Sequence, residues 1–427
     1  VGQPYSAGLS DNENHYDAPI PGFVGSGGEG RGDLPAYPLP SGTTRVNPLF
    51  LSWADSVADY SPALGNHTNG NPIVDPYWQF SGEALGPVTG DNFAVVSLGD
   101  LDTAAIASGL DPGSLTVSLA EPIQNFSGAD FAVFENGFIS AYNTGGAGIG
   151  GIFAELAYVE VSSDGVNFAR FDSVSMTESA VGGYGSIDPT EVYNLAGKHA
   201  NAYGESWGTP FDLDELAGHS LVQAGLLDLD AITHIRLVDI PGSGDFFDSL
   251  GYPIYDAWVT WGSGGADIEA LGAIGQPQSY AKWAHLWGVA GEARSADTDQ
   301  DGYSNFAEYA LALDPGNADG SGSTRIEVDD SGNQWFVFRR DERNSEVILI
   351  VEAQSNGLDA GGWTEVARFG PLAASQLTGP LVETIEIRSV APQASVGVLQ
   401  EVALRLSAMG VGERSRFLRV QIEAIDP

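Results

Sequence analysis

The chain has 427 residues, too many for one compact core of ordinary size, so two or three domains are expected. Hydrophobic residues make up 43% and aromatics 10%, enough for packed interiors, which excludes wholesale disorder. Seventeen Lys and Arg stand against 57 Asp and Glu, a net charge of −40. That balance excludes nucleic acid as a natural partner, argues against anionic lipid, and suits cations or a saline medium.

Cysteine is absent, which excludes a disulfide framework, a thiolate zinc site, an iron–sulfur cluster and a Cys nucleophile. No stretch approaches the length of an apolar membrane span, so no membrane insertion is expected. The chain begins at Val1 without a leader pattern, so a signal peptide is expected to be already removed and the location to be extracellular or cell-surface.

Residues 1–45 are Gly/Pro-rich and weakly patterned, and such an arm cannot bury enough surface to fold alone. From 46 to 274 the text is that of a large β domain. FAVVSLG (93–99), SLTVSLA (114–120), DFAVFENGF (130–138), AYVEVSS (157–163), THIRLVDI (233–240) and DAWVTWG (256–262) are short runs of Val, Ile and aromatics, several alternating with period two. Asp164-Gly165 signals a hairpin, because the turn needs a positive φ. Strands at this spacing without helical text predict a jelly-roll-like β-sandwich. Residues 275–320 change to helical spacing, with Trp283, Leu286 and Trp287 in one run and NFAEYALAL in the next, and Asp314-Pro315-Gly316 as a stop. Residues 321–427 alternate again (QWFVFRR, EVILIVEAQ, WTEVARF, LVETIEIRS, FLRVQIEAI) and predict a smaller, immunoglobulin-like β-sandwich.

Between the two helical runs lies Asp297-Thr-Asp299-Gln-Asp301-Gly302-Tyr303-Ser-Asn305-Phe-Ala-Glu308. Oxygen side chains at positions 1, 3, 5 and 9, Gly at 6 and Glu at 12 match the twelve-residue calcium loop. Calcium is hard and takes six to eight oxygens, so short carboxylates converge around a tight turn that Gly302 permits. Asp297, Asp299, Asp301, the Tyr303 carbonyl, Asn305 and Glu308 are the expected ligands. The bland alternative is a capped acidic loop before a helix.

The stretch WAHLWGVAGEARSADTDQDGYSNFAEYALALDPGNAD resembles a module of bacterial secreted proteins, best known from Verrucomicrobia-like surface proteins, in which a Trp-bearing helix precedes a calcium loop-helix. It is also similar to dockerin and thrombospondin-type-3 calcium loops, although a dockerin has two loops and one is complete here. The resemblance implies a structural joint followed by a small β-sandwich. DFAVFENGF, FAELAYVEVSSDGVNFARF, LAGKHANAYG, GTPFDLDEL and ITHIRLVDI resemble a family of bacterial cell-surface proteins that often carry PEP-CTERM-type sorting tails. That resemblance implies no catalytic activity.

Other constellations are weaker. Glu135, Asn136, Glu155 and Asp239 lie at strand ends, with Asp245, Asp248 and Asp256 nearby in sequence. Their oxygens would suit a second calcium site, or plain hydrogen bonding at strand ends. Paired carboxylates for glycoside hydrolysis arise too easily by accident among 57 acids. His199 reads as a packing histidine, and no zinc-hydrolase, acyl-transfer or phosphate-loop spacing is present. Trp53, Trp78, Trp207, Trp258 and Trp261 suit a core better than a sugar platform. Arg31-Gly32-Asp33 is too short a match to mean adhesion by itself.

Together these features predict an extracellular, calcium-stabilised structural or adhesive surface protein with no catalytic residues. It would self-assemble into a filament or layer through its arm, or contact other surface components. The alternative is a ligand-binding module, with polysaccharide foremost; a glycoside-active enzyme ranks third.

Overall fold

The structure, a computed structural model, describes residues 18–25, 45–354, 362–371, 376–377, 381–390, 397–407 and 417–425. The chain is mainly β, and its sheets are consistent with a β-sandwich. It divides into two compact units, Val1–Gln276 and Pro277–Pro427.

Two large antiparallel sheets dominate the first unit, beside three two-stranded ones. One runs in spatial order through Ala169–Arg170, Ala157–Ser162, Ile232–Asp239, Ser114–Ile123 and Ser56–Ser61. The other runs through Ile20–Pro21, Trp207–Phe211, Phe131–Glu135, Asp267–Ala273 and Ser52–Trp53, with Val96–Ser97 also paired to Asp267–Ala273. Leu115, Val117, Val159, Val161, Ile235 and Leu237 of one sheet share a core with Phe131, Val133, Phe211, Ile268 and Leu271 of the other. Removing that apolar area from water, at roughly 25 cal/mol per Å², is what drives the two faces together.

Simple alternation would leave each strand one wet face. Phe131–Glu135, Ala157–Ser162, Trp207–Phe211 and Asp267–Ala273 are instead buried along their whole length. For Ala157–Ser162 the reason is a second cluster, in which Leu156, Tyr158 and Ile240 meet Ile152, Val181, Ile187, Leu195 and Ile254 from the long connections. On Phe131–Glu135, Phe134 packs against Phe50 and Trp53. The Asp164-Gly165 hairpin joins Ala157–Ser162 to Ala169–Arg170. Gly165 takes φ 73°, and Asp164 Oδ1 accepts from the Val166 and Asn167 amides, each at 2.8 Å.

Part of the Gly/Pro-rich arm lies along its own unit. Ile20–Pro21 pairs with Trp207 and Gly208, Phe23–Val24 pairs with Arg45–Val46, and Ala18, Ile20 and Phe23 are buried. Residues 1–17 and 26–44, including Arg31, Gly32 and Asp33, lie outside the described residues.

In the second unit, helices Tyr280–Leu286 and Asn305–Leu311 precede two four-stranded antiparallel sheets. One sheet has the order Thr324–Val328, Gln334–Asp341, Leu399–Leu406, Val382–Ser389; the other has Gln376–Leu377, Thr364–Phe369, Val347–Gln354, Phe417–Ala424. Trp283, Tyr309 and Leu311 stand in the same core cluster as Phe338, Val351, Phe369 and Leu404. The helical segment read as a joint thus shares its core with the strands that follow it.

Candidate metal centre

The loop before Asn305–Leu311 is folded by its own acids. Asp297 Oδ2 accepts from the Gly302 amide at 3.0 Å, Asp299 Oδ1 from Asp301 at 3.1 Å and Asp301 Oδ1 from Tyr303 at 2.8 Å. Gln300 at φ 66° and Gly302 at φ 101° turn the chain back on itself, the second in the region that favours glycine. Ser304 caps the helix by accepting from Ala307, 3.3 Å away. One carboxylate oxygen each from Asp297, Asp299 and Asp301 lies within 4.8 Å of the others.

Glu308 completes the arrangement from the first turns of the helix. Its side chain is buried at 0% exposure, and neither carboxylate oxygen has a hydrogen-bond partner. Burial first, then repulsion from Asp299, Asp301, Asp319 and Asp297, pushes its carboxyl up to about 8. An unpaired acid sealed among acids is costly unless a cation lies between them. The donors are hard oxygens only, and a carboxylate with both oxygens free suits bidentate ligation, which fits calcium.

The remaining predicted ligands are placed differently. Asn305 is buried, but its Oδ1 accepts from Thr298 Oγ1 at 2.9 Å, so its amide braces the loop. Tyr303 presents its amide to Asp301, and its hydroxyl accepts from Ser323 Oγ at 3.2 Å. The sequence reading missed Asp319, which lies just past the Asp314-Pro315-Gly316 stop. Its Oδ1 is buried without a partner, burial above all raises its carboxyl to about 6, and the next amide, Gly320, donates to Asp301 Oδ2 at 2.7 Å. No local spacing signals it, because the fold brings it back from beyond the helix.

In the first unit, the structure gathers three of the four acids and amides proposed as a second site. Three successive amides at the start of Asp267–Ala273 each meet a carboxylate: Gly265 donates to Glu155 Oε1 at 2.9 Å, Ala266 to Asp239 Oδ1 at 2.8 Å and Asp267 to Glu135 Oε1 at 3.1 Å. Asp100, Asp256 and Asp267 join this buried group. Asn136 points elsewhere, donating from Nδ2 to the Asn92 carbonyl at 3.2 Å. Glu135 spends its second oxygen on the Gly137 amide at 2.9 Å, and Asp256 Oδ2 accepts from Leu156 at 2.7 Å. Asp248 ties its own loop through Ser175, Leu250 and Tyr252, and Asp245 accepts from Ser243. Asp100 Oδ1 and Asp239 Oδ2 stay buried without partners. Among the described residues, three acids whose oxygens all approach within 4.8 Å occur only at Asp297, Asp299 and Asp301.

Of the other flagged residues, His199 is buried, Trp53 packs on Phe50 and Phe134, and Trp207 and Trp258 donate to Glu205 and to the Leu101 carbonyl. No model of a known protein family matches the chain, and no curated protein matches it. Among the described residues no helix is long and apolar enough to cross a membrane.

Proposed function

We propose that the chain is a calcium-stabilised structural or adhesive protein of the cell exterior. The observation that carries the calcium reading is Glu308, fully buried with two unpartnered oxygens beside the converging carboxylates of Asp297, Asp299 and Asp301. The lack of cysteine and the charge of −40 support a cation-rich medium outside the cell. In finer detail we read the first unit as a jelly-roll-like sandwich and the strands of the second as immunoglobulin-like. The reading includes self-assembly through the arm 1–45, of which residues 18–24 are engaged within their own unit.

Metal binding here would act as folding free energy, because the loop, the helix and the strands share one core. Isothermal titration of metal-stripped protein should show calcium uptake that disappears in the Asp299→Ala, Glu308→Ala double variant. Absence of uptake, or uptake unchanged in that variant, would refute the reading.

A second reading, a ligand-binding module, is favoured by a cavity in the first unit. It is lined by Phe138, Phe153, Tyr184, Tyr203 and Trp261 together with Glu155 and Asp267.

A further inference from the structure

The cavity measures about 260 Å³. That is far above the roughly 10–15 Å³ that holds one water and just under the roughly 300–1,000 Å³ of drug-sized sites, so it has room for a small molecule. Its walls are aromatic on two sides. Phe138 stacks on Phe153 at 4.6 Å with Tyr203 edge-on at 5.1 Å, and opposite in sequence Tyr184 meets Trp261 edge-on at 6.3 Å. Tyr184, Tyr203 and Trp261 remain 67%, 74% and 42% exposed, so their faces are available.

The polar part of the lining is acidic. Asn136, Thr260 and Ser263 accompany Glu155 and Asp267, and the lining includes no Lys, Arg or His. Glu155 is 7% exposed, and Oε1 takes both of its hydrogen bonds, from Thr260 Oγ1 and the Gly265 amide. Oε2 takes neither of these bonds. Asp267 is held by the hydroxyls of Ser97 and Ser263. Behind them stand Glu135, Asp100, Asp239 and Asp256; burial raises all four carboxyls, and repulsion from other acids of the group adds to it at Glu135, Asp239 and Asp256. The residues 1–276 carry 35 Asp and Glu against five Lys and Arg, so 30 of the 40 net negative charges lie in this unit.

We propose that this cavity binds a small organic ammonium ion, with Glu155 and Asp267 as its anionic floor and Phe153, Tyr184, Tyr203 and Trp261 as its aromatic walls. Burial holds Glu155 and Asp267 toward their neutral forms, and a cation seated beside them stabilises the ionised forms, which a neutral ligand does not. Aromatic faces add attraction for an alkylated ammonium, whose charge is spread and weakly hydrated. A bare metal ion fits less well, because the acids here do not converge as Asp297, Asp299 and Asp301 do. The inference is independent of the calcium loop, which lies in the other unit.

The test uses the full chain in EDTA, titrated calorimetrically with choline chloride, tetramethylammonium chloride and 3,3-dimethylbutan-1-ol, the uncharged isostere of choline. At least one ammonium compound should bind, the isostere roughly tenfold or more weakly, and Glu155→Gln and Trp261→Ala should each weaken binding by a similar factor. Trp261→Ala and Tyr203→Ala alter exposed side chains, so they remain informative where Glu155→Gln disturbs folding. No binding of either ammonium compound overturns the proposal. So do equal binding of the isostere, binding indifferent to both Trp261→Ala and Tyr203→Ala, and displacement by glucose or by calcium.

Discussion

Glu308 shows how one residue couples sequence to stability. Its place at the twelfth loop position follows from spacing, whereas its complete burial follows from the core that Tyr309 and Leu311 enter on either side. Without a cation, the buried carboxylate has repulsion and no partner. Glu308→Gln keeps the shape and removes the charge, so in EDTA the variant should be at least as stable as the parent. In calcium the parent should gain about 2.7 kcal/mol at a hundredfold excess over Kd, and the variant much less. Thermal unfolding of both proteins with and without calcium checks this, and an equal calcium shift in the variant would sink it. The convergence of Asp297, Asp299 and Asp301 was legible because the three acids stand within five consecutive residues. Asp319, Asp100 and Asp267 were not, because only tertiary folding places them beside Glu308, Asp239 and Glu155.

At the level of elements, local chemistry was readable and coverage was not. Asp164-Gly165 specified its hairpin through a positive φ and two Asp–amide bonds, all within four residues. The double burial of Ala157–Ser162 depends on Val181, Ile187 and Ile254, whose segments have no regular pattern to announce them. The helical segment was likewise visible as helix but not as core. Its attachment rests on Tyr309, whose hydroxyl donates to the Gln278 carbonyl at 2.6 Å and accepts from the Glu346 amide at 3.3 Å. Gln278 keeps other donors in Ser345, so Tyr309→Phe chiefly strands the Glu346 amide. The expected cost is about 1–3 kcal/mol, read as a lower urea midpoint with an unchanged slope. A variant as stable as the parent would mean that this hydroxyl does not anchor the helix.

Over the whole molecule, the two units have separate cores and separate electrostatic problems. The first holds a nest of buried carboxyls beside an aromatic cavity, and the second holds the acidic loop of Asp297, Asp299 and Asp301 next to a helix of its own apolar cluster. A ligand stabilises only the cooperative unit whose native state binds it, by an amount set by its concentration over Kd. Calcium should therefore slow amide hydrogen exchange within 277–427, most strongly in Asn305–Leu311 and the strands Gln334–Asp341 and Val347–Gln354 that share its core. Amides of Phe131–Glu135 and Ala157–Ser162 should exchange at the same rate with calcium or EDTA. Mass-spectrometric exchange on the full chain separates the two responses peptide by peptide. Equal protection of both units by calcium would mean either a second calcium site among Glu135, Glu155 and Asp239 or one cooperative molecule. Glu308→Gln decides between them: it abolishes protection everywhere if the molecule is cooperative, and spares the first unit if that unit holds its own ion.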